Sequence, residues 1–194
     1  MGKNILEYLT NLWYSIIKIR DSKVKVMGKY NALDIATWFI YKTNAEKKEN
    51  QAVNDDYEVY EGLTHLKLQK LLYFAQGISL ATNGRVMFTN KIEAWEHGPV
   101  VKDVFNFFSS KGRNEITLDD APSDISIIRK IEADTATRNI LNVTYDSFAI
   151  YTAWQLRNMT HIKNGPWDKV YELGKNRVIP VNLIQEYFDK EIME

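Results

Sequence analysis

Residues 66–107 read LKLQKLLYFAQGISLATNGRVMFTNKIEAWEHGPVVKDVFNF, and the roles given to the polar side chains in this stretch decide the fold. Leu68, Leu71, Leu72, Ala75 and Ile78 recur at i, i+3, i+4, i+7 and i+10, which is the spacing of one apolar helix face. Thr64 stands where an N-cap belongs, since its hydroxyl can accept from an unpaired amide of the first turn. Asn83 and Gly84 then end the run with residues that tolerate the left-handed conformation of a helix terminus. Beyond them, VMFTNKIEAW offers two short β-prone runs around Thr89–Lys91, so a small hairpin is predicted there. Gly98 permits a sharp reversal, and Pro99 suits the first position of a helix over VVKDVFNFF, where a missing N–H costs nothing.

The same punctuation extends in both directions. Pro166 before WDKVYEL and Pro180 before VNLIQEYF mark two further helix starts, and Gly112 and Gly174 close segments. Residues 134–161, DTATRNILNVTYDSFAIYTAWQLRNMTH, carry enough periodic apolar positions for two more helices. Upstream, NALDIATWFIY over residues 31–41 reads as a helix capped by Asn31, with Leu33, Ala36, Trp38, Phe39 and Ile40 on a broad apolar face. From Lys42 to Gly62 periodicity is lost and charge of both signs is gained, which predicts a solvated connector. The reading is a mainly α, single compact domain of about seven helices with one small β-hairpin. A strand–helix alternation of the kind a parallel sheet needs is absent from the pattern.

Composition narrows the chemistry. A chain of 194 residues with 45% apolar and 26% charged residues is sized and composed for one ordinary core. Lys plus Arg and Asp plus Glu both number 25, so nothing in the summed charge draws the chain to nucleic acid or anionic lipid. The lack of cysteine excludes disulfides, thiolate catalysis and cysteine-ligated metal. At the start, Ile5, Leu6, Leu9, Leu12, Trp13, Ile16 and Ile17 recur at helical spacing, but Glu7 interrupts them and the run is too short and broken for a membrane span. Residues 1–28 therefore read as an N-terminal helical extension with a basic connector, suited to packing or self-association. Translation beginning at Met27 would make residues 1–26 dispensable to the domain over residues 29–190.

Glu93, Glu96 and His97 invite a catalytic or metal-binding reading. In a strand Glu93 and His97 would share a face, but third and fourth ligands at helical His or Glu spacing are missing, and so is a nucleophile beside a base. Neither a GxGxxG nor a GxxxxGK[ST] loop occurs, so no catalytic, metal or cofactor site is assigned and the chain is read as a non-enzyme. His65 and His161 each follow a threonine at a helix end, where histidine commonly bonds the backbone. Trp95 is expected half-buried between the hairpin and the helix after it, with Glu93 or Lys70 pairing across a surface groove. Tryptophan ringed by charge is also the composition of a protein-binding hot spot.

Four blocks carry a resemblance: LKLQKLLYFAQG, IEAWEHGPVVKDVF, LRNMTHIKNGPWDKVY and VIPVNLIQEYF. In order and spacing they resemble the Panacea domain, the family of SocA-like antitoxins and of GepA-type phage-associated proteins. The resemblance implies a helical cytoplasmic domain without cofactors that neutralises a cognate toxin by protein contact, in some members as an adaptor to a protease or chaperone. The other reading it leaves open is a stand-alone prophage-associated regulatory or interaction protein. Lys67, Lys70, Glu93, Trp95, Glu96 and His97 are the partner-contact candidates. Two features depart from the pattern: the polar connector is longer, and residues 1–26 have no counterpart.

Overall fold

The structure is a computed structural model and describes residues 28–53, 62–122 and 124–193. The N-terminal extension, Met27 and the later part of the connector lie outside these residues. Among the described residues are eight α-helices and one two-stranded antiparallel hairpin. In chain order they are α1 (Ala32–Val53), α2 (His65–Asn83), β1 (Glu93–Trp95), β2 (Gly98–Val100), α3 (Lys102–Phe107), α4 (Ser126–Ala133), α5 (Thr135–Phe148), α6 (Ala153–Thr160), α7 (Pro166–Val170) and α8 (Val181–Met193), with short 3-10 turns at Ser109–Lys111 and Leu118–Asp120.

The predicted caps hold. Asn31 and Asp34 exchange backbone-to-side-chain bonds of 2.9 Å each, closing the first turn of α1. Thr64 Oγ1 accepts from Lys67 N at 3.4 Å at the start of α2, and Gly84 N donates to Leu80 O at 2.9 Å at its end. Pro166 opens α7, and Pro180 immediately precedes α8.

Three expectations are corrected. The connector's first half is helical, because α1 continues to Val53. Its charges pair rather than simply dissolve: Lys42 meets Glu46 at i,i+4 and 3.0 Å, and Lys47 reaches Glu115 at 2.8 Å. The i,i+4 pair supports this later part of the helix, where the apolar stripe of its first turns has ended. The hairpin lies later than predicted, with a turn at Glu96 and His97 and register Glu93↔Val100 and Trp95↔Gly98. Phe88 forms only an isolated bridge with Tyr30, and a side chain holds this run: the Met87 and Phe88 amides donate to Gln76 Oε1, at 2.7 and 3.2 Å. Pro99 lies in β2 rather than at a helix start, and α3 begins at Lys102 with Val101 as its cap residue. A two-stranded ladder tolerates a proline whose missing donor faces away from the partner strand.

The core is built around α2, which packs against α1, α5, α6, α8 and β2. Residues Lys67–Leu80 of α2 are buried without a break, so the helix is central and buried on every side rather than amphipathic. Phe74 stacks on Phe148 at 4.1 Å and meets Phe188 edge-on at 6.3 Å. At Gly77 a Cβ would lie 2.4 Å from the Phe188 ring, so only glycine lets α8 approach this closely. Among the described residues no helix is long and apolar enough to cross a membrane.

Candidate functional site

A helix buried all round must pair every polar side chain it carries. Three of those on α2, Gln69, Lys70 and Gln76, pair with the chain that forms and flanks the hairpin. Gln69 Oε1 accepts from Val101 N at 2.7 Å and its Nε2 donates to Val101 O at 3.5 Å, while Lys70 Nζ donates to Pro99 O at 2.9 Å. Gln76 likewise holds Met87 and Phe88, and its Nε2 donates to Phe88 O at 3.3 Å. From the other side Trp167 Nε1 donates to Trp95 O at 2.8 Å, and His161 Nε2 lies 3.3 Å from Glu96 O. Outside β1, Ala94 N donates to Arg177 O at 2.7 Å and Ile179 N to Ile92 O at 2.8 Å. Side chains and a flanking strand-like segment thus do for this hairpin what further strands do in a larger sheet.

Gly98 is the point where the anchors converge. Its φ is +100, and a Cβ there would meet Lys70 Nζ and Thr160 Oγ1 at 2.7 Å each and His161 Cε1 at 3.1 Å. Lys70 is 0% exposed. Burial first, and then the neighbouring Arg157 cation, hold its ammonium well below the usual lysine range. His161 is lowered by burial and by the Arg157 and Lys70 cations, against the pull of two carbonyls that favour its charged form, Arg157 O and Glu96 O. Its Nδ1 lies 2.7 Å from Arg157 O, so we assign the ring proton to that nitrogen in the neutral form. His65 is lowered by burial too, beneath the Phe105 ring.

These shifts predict a pH profile. Lys70, His65 and His161 all have folded-state values below their unfolded ones, so the unfolded chain binds more protons between each pair of values. Stability falls as pH drops below about 6.5, where the unfolded histidines charge, and rises as pH climbs toward about 10 through the lysine window. Above about 10 the trend reverses, because burial raises Tyr73 and lifts Tyr30 and Tyr187 to about 12 each. Urea midpoints across pH 5 to 10 measure this. A profile flat on the alkaline side of neutrality would contradict a Lys70 held below its ordinary range by burial.

The hairpin surface carries four of the six contact candidates. Glu93 and Trp95 share one face of β1, where Trp95 Nε1 donates to Glu93 Oε2 at 2.8 Å and the indole packs on Phe105 with centroids 4.7 Å apart. Glu96 and His97 are exposed at the turn. Lys67 and Lys70 are buried in α2, so neither meets a partner directly, and Lys70 bonds Pro99 O instead of pairing across a surface groove. Two residues that sequence reasoning passed over complete the face from α6. Trp154 is 55% exposed with its ring 6.1 Å from His97, and the Arg157 guanidinium lies over that ring at 5.1 Å. Ala153, Leu156 and Thr160 form the buried stripe of α6, and a tryptophan lying off such a stripe was the signal available. Among the described residues no group of three or more His, Asp or Glu side chains is placed to hold a metal.

Residues 68–168, from the first turn of α2 into α7, match the family described as "Antitoxin SocA-like, Panacea domain", and the chain belongs to that family. Among curated proteins it is similar to Antitoxin SocA of Caulobacter vibrioides, 33% identical over 112 residues. That match covers 56% of this chain and 60% of the relative, so the chain spans less than two thirds of the relative's length. No solved structure matches. The family match includes the hairpin and the anchors Gln69, Lys70, Gln76, His161 and Trp167.

Proposed function

We propose that this protein is an antitoxin that neutralises a cognate toxin in the cytoplasm by direct protein contact, and that the hairpin face is the contact surface. The observation that carries the surface assignment is the hairpin's support: the buried donors Lys70 of α2 and Trp167 of α7 bond Pro99 O and Trp95 O on either side of a turn that presents Glu96 and His97 to solvent. A rigid, pre-formed surface loses little conformational entropy on binding. Glu93, Trp95, Glu96 and His97 are the contact residues, with Trp154 and Arg157 beside them. Delivery of the bound toxin to a protease is compatible with the same face, since an adaptor must first hold its cargo.

Growth rescue against the product of the adjacent gene tests this reading. Glu93→Lys combined with Glu96→Lys is expected to weaken rescue; the exposed Glu96 change shifts stability by only about 0.5 kcal/mol, and loss of the Trp95 indole's acceptor at Glu93 adds about 1 kcal/mol. Glu93→Gln keeps an acceptor for the Trp95 indole and is expected to rescue fully. Full rescue by the double variant would place the interface elsewhere, and no toxicity from any neighbouring gene would favour a stand-alone interaction protein.

A further inference from the structure

Arg157 is a cation without a carboxylate. No ion pair to it occurs among the described residues, its Nη1 donates only to the neutral Asn158 Oδ1 at 3.2 Å, and its Nε is buried with no hydrogen-bond partner. Behind it lie two further basic side chains, Lys70 and His161, and the charges that act on them are cationic: Arg157 on Lys70, and Arg157 and Lys70 on His161. In front of it are the exposed Trp154 ring, on which it rests, and His97 beyond. Three basic side chains thus converge behind an aromatic rim, and none of them has an ion pair among the described residues. Such a cluster is costly alone and is relieved by one anion from outside.

We propose that Arg157, framed by Trp154 and His97, is the docking point for a single aspartate or glutamate side chain of the partner toxin. This rests on the antitoxin reading and adds the chemistry of the partner. A carboxylate meets the Nη1 and Nη2 edge of the guanidinium with paired, charge-assisted hydrogen bonds, with the buried Nε behind that edge. The surrounding indole excludes water, and an arginine beside a tryptophan is the composition of an interface hot spot. Glu93 and Glu96 on the adjoining hairpin repel a uniformly acidic partner. They select one carboxylate set among neutral or basic side chains rather than an acidic run.

The test uses the full chain and, as probe, the purified protein encoded by the adjacent gene, with affinities measured by titration at low and physiological salt. Arg157→Glu is expected to weaken binding by roughly 30-fold or more, and Arg157→Lys, which keeps the charge but not the fork, by less. Trp154→Ala and Arg157→Gln serve as second variants, because removing an exposed ring or a charge leaves the helix intact. A toxin Asp or Glu changed to Arg should restore affinity to Arg157→Glu and to no other variant. Binding by folded Arg157→Glu and Trp154→Ala within about twofold of the parent would overturn the proposal while leaving the antitoxin reading in place. Failure of the parent chain to bind or neutralise the probe would remove the antitoxin reading itself, and the docking point with it.

Discussion

Phe74→Ala is expected to be among the most destabilising single changes in this chain. The ring lies at the centre of an aromatic group: stacked on Phe148 at 4.1 Å, edge-on to Phe188 at 6.3 Å and to Tyr73 at 5.6 Å. It joins α2, α5 and α8, so neighbours from three helices would have to move to close the gap. Removing a buried phenylalanine costs about 3–5 kcal/mol through lost transfer energy and the cavity left behind. For a chain of this length that corresponds to a fall in Tm of about 6–20 °C, readable by thermal circular dichroism. Phe74→Leu, which refills much of the volume, should lose less. A loss under about 1 kcal/mol for the alanine variant would mean the three helices do not share this packing point.

Gly98→Ala carries the second large effect, and it separates stability from binding. An alanine at φ +100 is strained, and its Cβ would occupy space held by Lys70 Nζ and Thr160 Oγ1 at 2.7 Å. Backbone strain of about 1–3 kcal/mol and steric overpacking of similar size act together. The strained residue sits where β2 begins, so the chain relieves it by lifting β2 from α2 and loosening the Lys70 to Pro99 bond. Affinity for the toxin is therefore expected to fall further than the shift in Tm alone implies. Amide exchange should accelerate selectively at Trp95–Val101 while the α2–α5–α8 core stays protected. Uniform acceleration over the whole chain would show instead that hairpin and core open as one unit.

Much of this architecture was legible in particular residues. Thr64, Gly84 and Pro166 act locally, through one hydrogen bond or one dihedral, and their roles follow from residue type. The hairpin position was not legible, because VMF and EAW are equally β-prone. What separates them is Gln76, whose amide takes both amides of the first run, and the 177–179 segment, which pairs only with the second. Both are long-range contacts that leave no mark on local pattern. The same holds for α2: its apolar face was plain, but the burial of Gln69, Lys70 and Gln76 on its other faces depends on which carbonyls lie opposite. Lys70 was therefore expected at the surface, where lysine almost always is. On the candidate face, Glu93, Trp95, Glu96 and His97 were found because they are consecutive or nearly so. Trp154 and Arg157 come from roughly 60 positions further on, and the fold alone brings Trp154 to His97 and Arg157 onto the Trp154 ring.

The account as a whole turns on whether the supported hairpin face is where a toxin binds. The most direct measurement is a tryptophan-fluorescence titration of the purified chain with the protein encoded beside it, since Trp95 and Trp154 both lie on or against that face. A saturable signal from the parent chain, together with binding by the Glu93→Lys, Glu96→Lys variant weakened far beyond what its small loss of Tm accounts for, is the predicted result. No binding by the parent chain, or full affinity in the double variant, would contradict it.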